Sequence, residues 1–234
     1  MKYLVKIKRQ NDKTSPSYYQ TFDYEGDNNI SVAAMLTAIN ARNPLVDSDG
    51  NAAETIAWEC GCMSKKCGAC AMRINTRPAL ACEVFLDSIK GNEILLEPFT
   101  KFPVIKDLVI DRSSMFESLK KIEVWLNEEA QMKEKTAKAR YQSAKCLMCG
   151  CCLEVCPGYS KESIFAGSMV AVNTFRIMDQ ETDVEHRKKL KANYREAFYK
   201  GCAKSLSCHN VCPAGLSVEE LTSRTNAALM WWRK

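Results

Sequence analysis

What this sequence has little of limits it first. No apolar run approaches the roughly twenty residues a membrane-spanning helix needs, although 46% of the 234 residues are hydrophobic. The start, Met1-Lys-Tyr-Leu-Val-Lys-Ile-Lys-Arg9, alternates apolar with polar residues and has no continuous apolar core, which excludes a secretory signal there. No glycine loop for a nucleotide phosphate occurs, no nucleophile stands beside a base, and no carboxylate pair sits in a catalytic motif. Low-complexity tracts are lacking, as is any internal repeat beyond two Cys-Pro runs. The chain therefore carries no legible substrate site of its own, and a cytoplasmic location is expected.

What it has in excess is cysteine, with 13 residues. Without an export signal these imply metal ligation rather than disulfides, because the cytosol keeps thiols reduced. The formal net charge of +5, from 33 basic and 28 acidic residues, is counted with neutral thiols. Ligated thiolates are deprotonated and remove most of that excess, so nucleic-acid binding is not expected.

The run Cys146-Leu-Met-Cys149-Gly-Cys151-Cys152-Leu-Glu-Val-Cys156-Pro157 has C-x2-C-x2-C-x3-C-P spacing. Three cysteines two residues apart let one tight loop aim three thiolates at adjacent corners of a cubane. The fourth points away and serves the other cluster of a two-cluster protein. A reciprocal run is therefore expected, and Cys202-x5-Cys208-x3-Cys212-Pro213 supplies it. Reciprocal ligation assigns Cys146, Cys149, Cys152 and Cys212 to a 4Fe-4S cluster, and Cys156, Cys202 and Cys208 to a second cluster. That second set lacks a ligand, because Ser205 stands midway between Cys202 and Cys208. Three thiolates favour a 3Fe-4S cluster, while ligation by serine or water would leave a 4Fe-4S cluster. A third constellation, Cys62-x4-Cys67-x2-Cys70 followed by Cys82, matches the plant-type spacing for a 2Fe-2S cluster. Structural zinc usually takes two C-x2-C knuckles, and this segment has one. Cys60 and Cys151 are left over; Cys60 is expected to be a buried small hydrophobe.

Residues 2 to 9 and 18 to 24 read as strands, and Ser31 as the N-cap of a helix over 32 to 40. Strand, strand, helix is how a β-grasp begins. A cysteine loop follows at 60 to 70, then strands at 71 to 75 and 93 to 97. From Ser113 the period turns helical, with helices expected at 115 to 126, 128 to 145, 162 to 178 and 184 to 200. A last helix opens on the capping box Ser217-Val-Glu-Glu220. The fold class expected is α+β: a β-grasp 2Fe-2S ferredoxin domain over 1 to 112, then an all-helical ferredoxin domain over 113 to 234.

Three cysteine motifs in this order resemble the iron-sulfur subunit of succinate dehydrogenase and fumarate reductase. The stretches Cys67-Gly-Ala-Cys-Ala-Met-Arg-Ile-Asn75, Arg77-Pro-Ala-Leu-Ala-Cys82 and Pro103-Val-Ile-Lys-Asp-Leu-Val-Ile-Asp111 add to the match. The resemblance implies an electron-transfer subunit of a fumarate-succinate complex, peripheral on the cytoplasmic face of the cell membrane. Its partners would be a flavoprotein carrying FAD and the dicarboxylate site, and a membrane anchor with quinone and, in some members, haem b. A soluble thiol-linked fumarate reductase subunit and a free ferredoxin-type carrier are the alternatives.

The chain departs from the family at three places. Lys65-Lys66 replace a glycine and an apolar residue; two cations beside an anionic cluster would raise its potential, unless both point into water. Ubiquinone-reactive members carry tryptophan after the first Cys-Pro and histidine after the first cysteine of the second run, where this chain has Ser160-Lys161 and Ala203. That favours menaquinone and the fumarate-reducing direction. Lys161 and His209 fall in the expected quinone vicinity; His209 either relays a proton or is held by backbone hydrogen bonds. His186 is expected to face solvent. Trp231-Trp232-Arg233-Lys234 reads as an interfacial anchor or as a tail packing on a partner subunit.

Overall fold

The computed structural model describes residues 1–160 and 162–231, with the side chain of Trp231 not among them. Lys161 and the tail beyond Trp231 lie outside the described residues. The chain divides into two compact units, Met1–Asp111 and Arg112–Lys234.

The first unit is a sheet wrapped over one helix. Strand β1 (Lys2–Arg9) pairs antiparallel with β2 (Tyr18–Glu25) and parallel with β5 (Glu93–Glu97); β3 (Ala71–Ile74) pairs antiparallel with β5 and with β4 (Arg77–Leu80). The order is β2-β1-β5-β3-β4, and β6 (Val104–Lys106) and β7 (Val109–Ile110) form a separate hairpin. Period-two alternation buries Tyr3, Val5, Ile7 and Arg9 on one face of β1. Helix α1 (Val32–Asn40) covers that face with Val32, Met35, Leu36 and Ile39. Its start is set by Ser31, whose hydroxyl accepts the Ala34 N–H. This is the β-grasp arrangement expected, with two additions that the sequence pattern does not predict, β4 and the β6–β7 hairpin.

Arg9 sits among these apolar residues at 1% exposure. Its Nε donates to Asp107 Oδ1 at 2.9 Å, and its other nitrogens donate to the carbonyls of Glu54 and Thr55. Asp107 also accepts the N–H groups of Gln10 and Ala57. From the helix side, the Asn40 amide brackets Ile56, accepting its N–H at 2.8 Å and donating to its carbonyl at 2.9 Å. A buried pair satisfied this fully is retained rather than costly. Its structural result is that residues 54–57 enter the first cysteine loop from a fixed point.

The second unit is helical: α2 (Ser113–Ile122), α3 (Ala137–Ala144), α4 (Cys151–Glu154), α5 (Ser168–Gln180), α6 (Val184–Tyr194) and α7 (Val218–Trp231). Helix α5 is buried from Ser168 through Phe175 and again at Met178 and Asp179. Such all-round burial marks a central helix. Ala139, Val172, Phe175, Leu216, Val218 and Leu221 form a core cluster, and Cys146, Cys208 and Cys212 pack against it. The helix expected over 128 to 145 is a correction: it begins only at Ala137, preceded by a short 3-10 turn at Glu134–Thr136. The Lys- and Glu-rich stretch has helical propensity but no apolar stripe to bury, and propensity alone rarely sustains a short helix. At the start of α7, Glu220 pairs forward with Arg224 at 2.9 Å instead of reaching back in the expected capping box.

Candidate functional site: three cysteine loops

The first loop gathers its thiols by backbone geometry. Met63 and Lys65 both adopt left-handed φ, at 52° and 62°. Left-handed residues alternating with ordinary ones turn successive N–H groups inward, an anion-binding nest. Here the N–H groups of Ser64 and Lys66 point at Cys62 Sγ, at 3.4 and 3.1 Å, and that of Lys65 at Cys82 Sγ, at 3.2 Å. Cys62 N–H donates to Cys67 Sγ at 3.4 Å, and the Cys70 and Cys82 sulfurs lie 3.4 Å apart. All four expected thiols are brought together. The Ser64 and Lys66 amides pull Cys62 down to about 6, while burial and the neighbouring thiols push Cys70 up to about 12.

The lysines match the reading in which both point into water. Lys65 Nζ forms an ion pair with Glu83, which offsets its charge, and both lysines are exposed. Their contribution to the loop is the two backbone N–H groups. Cys60 is a second correction, since it is exposed rather than buried; Gly61 sets it off on the rim of the loop, and a Cβ at Gly61 would stand 3.2 Å from Cys67 Sγ.

The second loop repeats the alternation with Met148 at φ 52° and Gly150 at φ 91°. Cys146, Cys149, Cys152 and Cys212 line one apolar cavity with Met115, Met169, Val172 and Leu216. Burial pushes up the thiols of Cys146, Cys152 and Cys212. Cys149 goes the other way, to about 7: the Cys151 thiol donates to it, its burial opposes, and the Cys151 N–H and the Arg112 guanidinium add to the lowering. Arg112 also donates to the Cys149 carbonyl at 3.3 Å. Asn173 holds the left-handed residue in place, its amide donating to Met148 Sδ at 3.6 Å and to the Met169 carbonyl at 3.0 Å.

The third loop has Lys204 and Leu206, both at φ 56°. Cys156, Cys202 and Cys208 line a cavity of about 540 Å³ together with Ser205, Phe165, Tyr199 and Glu219. Ser205 is exposed and accepts a hydrogen bond from Ser207 Oγ at 3.3 Å. Gly201 precedes the first cysteine because a Cβ there would lie 2.7 Å from the Phe165 ring.

Both histidines depart from expectation. His186 is 5% exposed, stacks on Trp125, and bonds Glu181 Oε2 through Nδ1 at 2.5 Å. The charged helix that carries it turns this one face inward. His209 is held by the Glu219 carboxylate rather than by backbone. Glu219 is raised by burial, but His209 outweighs that and leaves it below the ordinary carboxylate range.

Residues 4–117 match the family model of the 2Fe-2S iron-sulfur cluster binding domain, and residues 142–216 that of the 4Fe-4S dicluster domain. The succinate dehydrogenase iron-sulfur subunit of Bacillus subtilis is 33% identical, covering 94% of this chain and 91% of that protein. The chain belongs to the family of succinate dehydrogenase and fumarate reductase iron-sulfur subunits. The fumarate reductase iron-sulfur subunit of Wolinella succinogenes is 29% identical over 68% of this chain and 71% of its own length. A chain of the Mycobacterium smegmatis Sdh1 complex has the same fold, with TM-score 0.76 at 21% identity over 97% of this chain and 95% of that one. Membership in this family gives the chain an electron-transfer role.

The residues fit iron-sulfur clusters on the structure's own terms. The thiols of the second loop, gathered within apolar walls, are costly to ionise together unless iron neutralises them. The inward amides offer the hydrogen bonds cluster sulfurs accept. A buried hydroxyl at the C-terminal sites, Ser168 Oγ, has no partner. Among the described residues, no three or more His, Cys, Asp or Glu side chains are placed to hold a single metal ion. No described helix is long and apolar enough to cross a membrane.

The leftover Cys151 was visible in the sequence as an unassigned cysteine, but its part as a donor to Cys149 was not. Asn173 gave no signal at all, since it lies on another helix from the loop residue it braces.

Proposed function

We propose that this chain is the electron-relay subunit of a membrane-bound complex interconverting fumarate and succinate, working chiefly as a quinol:fumarate reductase with a menaquinone-type quinone. The observation that carries it is the set of three cysteine loops, each bracketed by left-handed residues two apart. Loaded with a 2Fe-2S, a 4Fe-4S and a 3Fe-4S cluster, such loops carry single electrons between a flavin and a quinone on partner subunits.

In this reading Cys62, Cys67, Cys70 and Cys82 hold the first cluster, while the amides of Ser64, Lys65 and Lys66 stabilise its anionic sulfurs. Cys146, Cys149, Cys152 and Cys212 hold the second, and Met115, Met169 and Val172 keep water from it. Cys156, Cys202 and Cys208 hold the third. Ser205 supports three-thiolate ligation there, because it is exposed and engaged with Ser207. The 2Fe-2S end faces the FAD-bearing flavoprotein; the 3Fe-4S end faces the membrane anchor, on the cytoplasmic side. His209, tied to Glu219 at the cavity rim, is placed to pass a proton to a quinone. Ser160 and Ala203, at the positions where ubiquinone-reactive relatives differ, support menaquinone.

The succinate-oxidising direction is the second reading, favoured by the name of the Bacillus subtilis relative, which covers 94% of this chain. Purification of the complex from solubilised membranes tests both. Co-purification with a flavoprotein, a 3Fe-4S resonance in the oxidised sample, and faster fumarate reduction by a menaquinol analogue than succinate oxidation is the expected result. Dominant succinate oxidation moves the assignment to the dehydrogenase direction. A chain found only in the soluble fraction, with neither activity, overturns the membrane reading in favour of a thiol-linked subunit or free carrier.

A further inference from the structure

Among the described residues, Ser168 is the one shared by the walls of the two C-terminal cavities, the one lined by Cys146, Cys149, Cys152 and Cys212 and the one lined by Cys156, Cys202 and Cys208. It is 5% exposed, and its Oγ is buried with no hydrogen-bond partner. A buried hydroxyl without a partner costs free energy, so native structures seldom keep one unless something outside the chain satisfies it. The backbone fixes it there. Gly167, at φ +77°, caps α5 immediately before Ser168, and a Cβ at Gly167 would fall 2.1 Å from Leu153 Cδ2. The residue that starts the helix is thereby held against α4, between the two thiol sets.

We propose that Ser168 is a potential-tuning residue shared by the two C-terminal clusters, its single hydroxyl proton donated to the sulfur of a ligand thiolate, Cys152 on one side or Cys208 on the other. This rests on the cluster assignment of the proposed function. Cys152 stands with Ser168 in the wall of one cavity and Cys208 with it in the wall of the other. A hydroxyl has one proton to give, so a bond to one sulfur is unavailable to the other. Hydrogen bonds to cluster sulfurs stabilise the more negative, reduced state and raise the potential. Ser168 acts through the ligands and touches neither flavin nor quinone.

The test is a redox titration of the complex isolated from membranes, followed by electron paramagnetic resonance, which reads each cluster separately. Ser168→Ala and Ser168→Gly both remove the hydroxyl, and the glycine variant stands in should the alanine variant fail to assemble. Ser168→Thr retains it. The expected result is a lower midpoint potential for at least one C-terminal cluster in the Ala and Gly variants, recovery in the Thr variant, and no change at the 2Fe-2S cluster. Wild-type C-terminal potentials in Ala or Gly overturn the proposal, as does a Thr variant shifted as far as Ala, or an equal shift of the 2Fe-2S cluster. Wild-type complex without the three cluster signals would instead overturn the cluster assignment itself.

Discussion

In the loop that opens at Cys146, left-handed Met148 and Gly150 bracket Cys149; in the loop that opens at Cys202, left-handed Lys204 and Leu206 bracket Ser205. The backbone device is the same, and the bracketed side chain differs. Cys149 is drawn inward, its thiol lowered to about 7 by Cys151 and by Arg112. Ser205 is exposed and bonded to Ser207. The comparison teaches that a cluster loop is written twice, once in backbone conformation and once in side-chain chemistry. The second can change while the first is kept.

The largest effect should follow from deleting the thiol that the second loop keeps. Cys149→Ala leaves three thiols in an apolar-walled cavity, and the C-terminal unit should lose the iron of that cluster and much of its stability; iron analysis and thermal unfolding of the isolated complex check it. The next is Ser205→Cys, which restores the missing thiol on a backbone already bent for it. One additional iron per chain and loss of the 3Fe-4S resonance are expected. Retention of that resonance at full intensity would mean that position 205 faces away from the cluster.

The frames themselves differ in residue choice, Gly150 against Leu206, although both are left-handed. Glycine pays no Cβ penalty there, whereas a side chain costs about 1–2 kcal/mol. Gly150→Ala should therefore destabilise by about 1–2 kcal/mol, and Leu206→Gly should stabilise by about 0.5–1 kcal/mol, once the added freedom of the unfolded chain is deducted. Denaturant unfolding of the holoprotein reads both. Opposite signs at two positions of one motif would confirm that the strain resides in the backbone and not in contacts.

Much of this was legible in the sequence where a rule depends on spacing. The three cysteine sets, β1, β2 and α1 follow from short periods and fixed gaps, because neighbouring residues alone determine them. The helix expected over 128 to 145 failed where composition suggested a helix and no apolar face existed to hold it. His186 and Cys60 failed for a related reason. Whether a polar residue is buried depends on what packs over it, and Trp125, which stacks on His186, comes from a distant stretch of chain. The left-handed alternation was equally illegible, since Met63, Lys65, Met148, Lys204 and Leu206 are not residues that favour it. Long-range demands of the thiols impose that conformation on them, against local preference.

The smallest effect concerns Cys151, the cysteine that no spacing rule places. It is fully buried and donates its S–H and its N–H toward Cys149. In the third loop the corresponding side chain is Ser207, whose hydroxyl donates to Ser205. Cys151→Ala keeps the N–H and removes the thiol, so the 4Fe-4S potential should fall, by less than in Ser168→Ala because S–H is a weaker donor than O–H. Cys151→Ser, smaller than cysteine but a better donor, should hold the potential at or above the wild-type value. If alanine and serine shift it equally, cavity size and not hydrogen bonding links Cys151 to the cluster, and the second loop's advantage over the third then rests on Cys149 alone.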